Sequence, residues 1–274
     1  MRFPLTNGVA VITGAAGGIG GALARALAER GCHLALADIE PEGLADVAAR
    51  TRTCGVKVSE HICDVADQRA VAGLPEAILA RHSRVTVLVN NAGVAMGGSF
   101  DEVSEEEFRW LFEINFWSAV RLMKAFLPVL REQTAAQIVN ISSVFGLVGP
   151  IGQCAYAASK FAVRGVSEVL RHELEEDNGT VRLSVVHPGG VRTGILKNAR
   201  VAAAATKEEA DEEGSRYEDL LRLTPEKAAV QIVRGLERRQ RRILVGNDAK
   251  QIDLIQRLWP SSYWYFLRKK VDRS

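Results

Sequence analysis

Short apolar runs alternate along the chain with longer stretches in which apolar residues recur at helical spacing. The runs are rich in aliphatic and β-branched residues, as expected for buried parallel strands. They cover residues 9–13, 33–37, 56–62, 85–89, 137–142, 181–186 and 242–245. Because a helical stretch follows most of these runs, the pattern predicts an α/β fold in which a parallel sheet carries helices on both faces.

The helical stretches lie between the runs, and two other segments depart from this rhythm. Helices are expected at residues 22–30, 41–54, 67–82, 104–130 and 153–177, with a further helix starting at 225. Residues 194–224 contain an alanine run and then seven acidic residues between 208 and 219, which favours a mobile, partly helical insertion over the substrate side. Because no internal repeat or linker divides the chain, we expect a single domain over residues 1–274 that ends in an apolar and basic tail at about 250–274.

Composition excludes several classes of protein. The chain has 274 residues, a formal net charge of +2 and 25% charged residues, so nothing suggests general affinity for nucleic acid. Its four cysteines form no CxxC pair, so neither a disulfide framework nor a metal site is expected. No secretory signal and no apolar run of the ~20 residues that span a bilayer is visible, which favours a cytoplasmic location.

A glycine-rich sequence, TGAAGGIG at 13–20, stands between the first strand and the first helix. Glycines there permit a tight turn and allow the backbone to approach a pyrophosphate, whose negative charge the helix N-terminus favours. The spacing differs from GxGxxG, and the alternative is an ordinary glycine-rich turn between a strand and a helix. The position directly after the first strand favours dinucleotide binding.

Asp38 ends the second strand about 20 residues after the glycines, where a carboxylate can accept hydrogen bonds from both hydroxyls of an adenosine ribose. It would repel a 2′-phosphate, residues 15–19 contain no Arg or Lys, and Ile39 is neutral. NAD is therefore favoured over NADP. The alternative is that Asp38 only caps the end of the strand.

Polar residues also follow the third and fourth strands. Asp64 is a weaker candidate for the adenine edge, with Val65 packed beside it. The NNAG sequence at 90–93 lies at the carboxyl edge of the sheet, where ligands bind in folds of this kind. Its asparagines could instead only tie loops together.

Tyr156 and Lys160 are four residues apart on a predicted helix, so both side chains rise from one face. An ammonium group beside a phenol favours the phenolate and lowers the phenol pKa from about 10. Tyr156 is therefore a candidate for proton transfer near neutral pH. The alternative is a chance YxxxK pair, which many helices contain.

Taken together, these motifs resemble the short-chain dehydrogenase/reductase family over roughly residues 5–250. The resemblance rests on TGAAGGIG at 13–20, Asp38, Asp64, NNAG at 90–93, Asn115, ISS at 141–143, YAASK at 156–160 and HPGGVRT at 187–193. It implies a Rossmann-type doubly wound parallel sheet of about seven strands and hydride transfer between a nicotinamide cofactor and an alcohol or carbonyl group. Departures are mild: the glycine turn is unusually rich in Gly and Ala, and Gly190 follows Pro188 and Gly189.

The resemblance also implies roles for individual residues. The catalytic serine matches Ser143, with Ser142 as the alternative, and Tyr156 matches the general acid/base. Lys160 matches the residue that lowers the tyrosine pKa and holds the nicotinamide ribose. Asn115 matches the asparagine that holds a water in the proton relay. The alternative is a helix-kinking asparagine bonded to backbone, and the two roles are compatible. Cofactor contacts are implied for Gly14, Gly18, Ile19, Gly20, Asp38, Asp64, Val65, Asn91, Ala92, Gly93, Tyr156, Lys160, Pro188, Gly189, Val191 and Thr193. Of these, Pro188, Gly189 and Val191 are implied to line the nicotinamide side.

Apolar residues surround the predicted catalytic positions and suggest a pocket for a hydrophobic secondary alcohol or ketone, such as a steroid, a retinoid or a lipid. They are Val94, Met96, Phe145, Leu147, Val148, Pro150, Ile151, Cys154 and Ile195. Ordinary core packing is the alternative for each of them. Two other functions stay open: an NADPH-dependent ketoreductase, and a catalytically quiet NAD-binding regulatory protein, against which the complete Ser, Tyr and Lys set argues.

The tail and the long helices suggest partners. Residues 234–274 contain eleven basic and four acidic residues beside several aromatic ones, which predicts weak peripheral contact with a membrane surface. Packing of the tail over the substrate pocket or over a subunit interface is a slightly favoured alternative. The family resemblance implies a homodimer or homotetramer built through the helices at 104–130 and 153–177.

Overall fold

The computed structural model describes residues 2–205 and 220–271. The predicted acidic insertion at 208–219 lies outside the described residues. The strands are β1 (Val9–Thr13), β2 (His33–Asp38), β3 (Val58–Ile62), β4 (Val87–Asn90), β5 (Met96–Gly97), β6 (Ala136–Ile141), β7 (Val181–Pro188), β8 (Arg200–Val201) and β9 (Arg242–Val245). The helices are α1 (Gly18–Ala28), α2 (Pro41–Arg52), α3 (Gln68–Leu79), α4 (Glu105–Phe112), α5 (Ser118–Arg131), α6 (Cys154–Glu176), α7 (Pro225–Glu237), α8 (Asn247–Leu258) and α9 (Tyr263–Val271).

In the described part of the chain, seven strands form one parallel sheet in the order β3-β2-β1-β4-β6-β7-β9. The chain leaves β1 towards β2 and β3 and returns to β4 on the other side of β1. The strand order therefore reverses between β1 and β4, and this reversal opens a crevice at their carboxyl ends. The predicted Rossmann-type doubly wound parallel sheet is confirmed.

Helices cover both faces of this sheet, as predicted. On one face, α1, α2 and α7 bury residues such as Leu27, Leu44 and Ile232 against the strands. On the other face, α3, α5 and α6 bury residues such as Phe126 and Leu174. Full burial of a large apolar side chain contributes about 1.5–3 kcal/mol relative to exposure, so these two layers are the main source of stability.

The predicted helix at 104–130 starts as expected but is not continuous. Ser104 and Glu107 form a capping box, in which Glu107 Oε2 accepts from Ser104 N at 2.8 Å. A π-helical turn at Glu113–Trp117 then separates α4 from α5. A π turn of this kind arises where a side chain or an extra residue disturbs the helical hydrogen-bond ladder. It contains Asn115, which is buried and bonds outside its own helix.

Several other element ends, and one pair of strands, differ from the sequence prediction: for example, α1 begins at residue 18 and not at 22, and β4 covers residues 87–90 and not 85–89. β3 begins at residue 58, not 56, because its pairing with β2 begins at Val58 opposite Leu34. β7 runs two residues further, to Pro188, because His187 and Pro188 pair with β9. A short parallel pair, β5 with β8, was not predicted and fixes part of the 194–224 segment against the main body. No helix among the described residues is long and apolar enough to cross a bilayer.

Candidate active site

The turn between β1 and α1 lies at the crevice and leaves no room for side chains at two glycines. Gly14 has φ +63°, in the left-handed region, and a Cβ there would lie 2.8 Å from Ala92 Cα. A Cβ at Gly20 would overlap the carbonyl oxygen of Gly14 and lie 2.6 Å from Asn91 Nδ2. The turn therefore presents bare backbone at a helix N-terminus, which fits a pyrophosphate group.

The end of β4 is tied to this glycine turn. Asn91 Nδ2 donates to the carbonyl oxygens of Thr13 at 2.9 Å and of Gly14 at 3.0 Å. The backbone N–H groups of Asn91 and Ala92 both donate to Thr13 Oγ1 at 3.1 Å. The structure thus shows the loop-tying role for Asn91, while its contact with a cofactor stays a prediction.

Asp38 joins the end of β2 to the same turn. Its Oδ2 accepts from Ala16 N at 2.8 Å and its Oδ1 accepts from Glu40 N at 3.1 Å. A carboxylate has about four lone-pair sites, so two backbone donors leave capacity for ribose hydroxyls. Beyond the next strand, Asp64 is exposed and accepts from Ala66 N at 2.8 Å, whereas Val65 is buried.

Tyr156 and Lys160 lie on the first turns of α6, with Lys160 Nζ 5.6 Å from the centre of the phenol ring. The lysine is 4% exposed and its ammonium donates to the Ile141 carbonyl oxygen at 3.3 Å. Burial lowers the pKa of Lys160 to about 8. Burial removes the ammonium group from water, and the hydrogen bond to one backbone carbonyl group does not offset this desolvation. Lys160 therefore lowers the stability of the folded chain.

The pKa of Tyr156 is shifted in the direction opposite to the one expected from the sequence. Burial raises it to about 12, and the hydrogen bond with Ser143 opposes this effect only in part. The expectation of a lowered pKa considered the ammonium group alone. Desolvation disfavours the phenolate, and this tertiary effect outweighs the neighbouring groups.

The two candidate serines point to different partners. Ser143 caps the short 3₁₀ turn at Val144–Gly146: its Oγ accepts from Phe145 N at 3.1 Å and forms the hydrogen bond with Tyr156. Ser142 Oγ instead donates to the Lys160 carbonyl oxygen at 2.9 Å. The serine that faces the phenol is therefore Ser143.

Asn115 bridges the loop after β4 and helix α6. Its Oδ1 accepts from Val94 N at 2.8 Å, and its Nδ2 donates to Val94 O at 3.0 Å and to Ser159 Oγ at 3.1 Å. These contacts are the backbone-bonding alternative considered for this asparagine. A Cβ at Gly93 would lie 3.1 Å from Asn115 Oδ1 and 3.3 Å from Lys160 Nζ, so Gly93 belongs to the same cluster.

The turn after β7 closes the other side of the crevice. Pro188 ends the strand, and Gly189 N donates to Val245 O at 2.9 Å. Val191 is buried, and the methyl group of Thr193 lies 3.4 Å from the position that a Cβ of Gly18 would take. The predicted contacts at the glycine turn and after β7 therefore meet across the crevice.

Two polar residues at this edge were not identified from the sequence. His187 is fully buried, and its Nδ1 lies 2.9 Å from the Ser143 carbonyl oxygen, so this nitrogen carries the proton that is donated. Burial lowers the pKa of His187 to about 4, so the ring is neutral. Asp248 Oδ2 accepts from Gly190 N at 2.6 Å. The rule that strand ends carry functional groups, applied to β7 and β9, would have drawn attention to both.

The apolar residues predicted around the catalytic positions separate into groups. Val94, Met96 and Cys154 pack in the same cluster as Tyr156. Phe145 meets the Tyr156 ring edge to face at 6.1 Å between centroids. The other predicted lining residues have varied surroundings: Leu147, Val148 and Pro150 are buried, Ile151 is 63% exposed and Ile195 is half-buried. Core packing, the alternative reading, therefore accounts for Leu147 and Val148.

The C-terminal tail packs against the segment that follows Ser143. Tyr263 Oη accepts from Gly149 N at 3.0 Å, and Leu267 packs on Leu147 and Val148. These residues of the tail therefore pack on the 147–149 segment, while packing over the substrate pocket or over a subunit interface stays a prediction.

Comparison with known proteins agrees with this arrangement. The short chain dehydrogenase family model matches residues 8–204. SadH of Mycobacterium tuberculosis, which is named as an oxidoreductase, is 40% identical over 255 residues, covering 93% of this chain and 92% of the relative.

Solved structures with bound cofactors are also similar. A short-chain dehydrogenase/reductase from Burkholderia phymatum in complex with NAD is 31% identical, with a TM-score of 0.86 and coverage of 94% of this chain and 95% of that chain. A metagenomic short-chain oxidoreductase in complex with NADP is 36% identical, with a TM-score of 0.64 and coverage of 69% and 86%.

The similarity to these two structures, together with the glycine turn between β1 and α1, supports a nicotinamide dinucleotide as the cofactor class of this chain. They identify an oxidoreductase with the predicted fold and the predicted order of motifs. The chain belongs to the short-chain dehydrogenase/reductase family.

Proposed function

We propose that the protein is an NAD-dependent oxidoreductase that transfers a hydride between nicotinamide and a hydrophobic secondary alcohol or ketone, with Tyr156 as the general acid/base. The observation that carries this proposal is the convergence of Ser143, Tyr156 and Lys160 at the carboxyl edge of the sheet, beside the glycine turn. A catalytically quiet NAD-binding protein would not need this set intact.

The dinucleotide would be held by the glycine turn, Asp38, the Asn91–Gly93 segment, the Lys160 ammonium and the turn after β7. When bound, it supplies the hydride acceptor or donor. Its adenine would contact Asp64 and Val65, in line with their position after β3.

The side chains of the site handle the proton. With a pKa of about 12, the Tyr156 phenol keeps its proton at neutral pH and can donate it from Oη to a carbonyl oxygen during reduction. Ser143 Oγ donates a hydrogen bond to the same substrate oxygen as negative charge develops there. For oxidation, Tyr156 must first lose its proton, and the Lys160 ammonium on the same helical face stabilises the phenolate. Asn115 would hold a water that links Lys160 to solvent.

Asp38 supports NAD as the preferred cofactor. Its carboxylate is held beside the glycine turn by Ala16 N, where it would repel a 2′-phosphate, and its neighbour Ile39 is neutral. The test is a fluorescence titration of the purified protein with NADH and with NADPH, repeated with Asp38→Ala. Tighter binding of NADH, lost in the variant, is expected. Tighter binding of NADPH by the wild type would favour the ketoreductase alternative.

The substrate proposal rests on the apolar side chains packed around Tyr156. A panel of steroid, retinoid and aliphatic secondary alcohols, set against small polyols and sugars, tests it directly. Turnover of polyols alone would overturn the hydrophobic substrate. Normal NADH binding without turnover of any alcohol or carbonyl compound would favour the regulatory alternative.

We also propose a homodimer or homotetramer, built through the helices at 104–130 and 153–177. Large apolar side chains on these helices are solvent-exposed in the isolated chain: Trp117 is 47% exposed, Phe161 40% and Val169 58%. Exposed apolar groups on neighbouring helices are typical of an interface. Light scattering after gel filtration would detect the assembly, and a monomer at micromolar concentration would contradict it. A cytoplasmic location is part of the same proposal, because the four cysteines form no CxxC pair typical of a disulfide framework.

The tail offers a second surface, for which we propose weak peripheral contact with anionic membranes. Trp259, Tyr265 and Phe266 are exposed and their rings contact one another, with centroids 4.8 Å and 5.6 Å apart. Exposed Arg257 and Arg268 lie on the same two helices. Wild-type protein should sediment with anionic liposomes, and the variant with all three aromatic residues replaced by Ser should not. Equal sedimentation of both proteins would exclude this surface.

A further inference from the structure

A carboxylate on the first turn of α8 is built into the turn that follows β7. Asp248 Oδ2 accepts a hydrogen bond from Gly190 N at 2.6 Å. A Cβ at Gly189 would overlap this carboxylate, and so would a Cβ at Gly246, which has φ +97°. Glycine on both sides therefore makes the space that the Asp248 side chain occupies.

Backbone groups hold the same turn from its opposite side. The Gly190 carbonyl oxygen accepts from Arg222 N at 3.1 Å and from Leu223 N at 3.0 Å. Before the turn, Pro188 is fixed by its pairing with Val245. The turn is therefore fixed at three points. β9 fixes the end of β7 at Pro188, and the 222–223 backbone fixes the Gly190 carbonyl group. The Asp248 side chain holds the Gly190 N–H group.

Two consecutive glycines lose much conformational freedom when they are ordered. A hydrogen bond from an N–H group to a charged acceptor opposes this loss better than one to a neutral acceptor, because it is stronger. The turn also leads into Val191 and Thr193, which the resemblance assigns to the cofactor. A carboxylate that fixes the turn therefore fixes the path of the chain towards the crevice.

We propose that Asp248 is a positioning residue for the nicotinamide half of the cofactor site, acting through the turn at 188–190. The inference rests on the proposed function, because it needs the dinucleotide to lie along the carboxyl edge of the sheet. Asp38 lies on β2, whereas this turn follows β7, four strands further along the sheet. Loss of the Asp248 carboxylate therefore affects the nicotinamide half and leaves the adenosine half unchanged.

The experiment compares two ligands that share the adenosine half. NADH is titrated by fluorescence and ADP by calorimetry, for wild type, Asp248→Ala, Asp248→Asn and Lys250→Ala. Lys250 is exposed on the same helix and serves as the matched control. Asp248→Ala should raise the Kd for NADH about fivefold, as expected for loss of one charge-assisted hydrogen bond at an exposed site. Asp248→Asn keeps an acceptor oxygen and should lie within about twofold of wild type.

In all four proteins the Kd for ADP should be equal, because ADP lacks the nicotinamide half. Equal NADH affinity in wild type and Asp248→Ala would overturn the inference and leave the proposed function intact. A parallel loss of NADH and ADP affinity would also overturn it, since Asp248 would then support the fold as a whole. Wild-type protein that binds neither NADH nor NADPH would instead contradict the proposed function.

Discussion

Replacement of Gly20 by Ala tests whether the glycine turn is closed to side chains. The added methyl group would overlap the Gly14 carbonyl oxygen and lie 2.6 Å from Asn91 Nδ2. Neither neighbour can move freely: Gly14 belongs to the backbone of the turn, and Asn91 is tied to it by two hydrogen bonds. Relief of the overlap must therefore shift the start of α1 or break the Asn91 contacts.

The size of the effect follows from these contacts. Insertion of a methyl group into a closed, well-packed site costs about 1–3 kcal/mol, and Ala gains back up to about 1 kcal/mol over Gly inside a helix. We expect the free energy of unfolding to fall by about 1–2 kcal/mol. At roughly 2–4 °C per kcal/mol for a chain of this size, Tm should fall by about 2–8 °C. NADH affinity should fall at least about tenfold, because the backbone that faces the pyrophosphate is displaced.

A control in the same turn separates steric overlap from a general effect of substitution. Gly17 has extended backbone, and no atom of residues 2–205 or 220–271 lies within 4 Å of the position that its Cβ would take. Ser, like Gly, is favourable at the N-cap of a helix. The free energy of unfolding of Gly17→Ser should therefore lie within about 0.5 kcal/mol of the wild-type value. Urea unfolding followed by circular dichroism and NADH titration measure both quantities. The reasoning is refuted if Gly20→Ala matches wild type in both, or if the two variants lose equal stability.

Three other predictions concern the buried polar groups and the tail. The free energy of unfolding should rise between pH 8 and about 9, because folded Lys160 loses its proton near pH 8 while the unfolded chain keeps it up to about 10.5. Above pH 9 the raised pKa of the buried Cys32 thiol opposes this rise. Urea unfolding of Lys160→Met at pH 7.5 and 9 should lack the rise. His187→Leu removes the donor to the Ser143 carbonyl group and should cost about 1–3 kcal/mol in urea, whereas His187→Asn, which keeps an N–H donor, should recover part of the loss. Tyr263→Phe leaves Gly149 N without its acceptor and should cost about 1 kcal/mol by the same assay, with NADH affinity unchanged.

The sequence predicts the sheet well because buried parallel strands are specified locally. Each strand is a short aliphatic run, and the functional groups stand at its carboxyl end: Asp38 is the last residue of β2, and the NNAG segment begins at the last residue of β4. Tyr156 and Lys160 could be paired for an equally local reason, since helical spacing places them on one face. These features depend on neighbours in the chain and can therefore be recognised without coordinates.

Features that depend on distant segments could not be predicted. The π turn around Asn115 exists where this side chain reaches Val94, and no local spacing specifies that contact. The direction of the Tyr156 pKa shift depends on how much protein surrounds the phenol, which only the folded structure determines. The Asp248 contact joins two glycine-rich segments that are far apart in sequence.

The family model covers residues 8–204, yet residues beyond it support both walls of the crevice. Tyr263 bonds to the backbone at Gly149, six residues after Ser143, and Asp248 bonds to the backbone at Gly190. The helices that follow β9 are thus bonded to the serine segment on one side and to the turn after β7 on the other. Because both contacts reach the site through backbone groups, substitutions in α8 and α9 can alter the width of the crevice without changing any residue that touches the ligand. We expect exchange of residues 249–271 for the corresponding segment of a relative, which leaves Asp248 in place, to alter the KM for substrate more than the affinity for NADH.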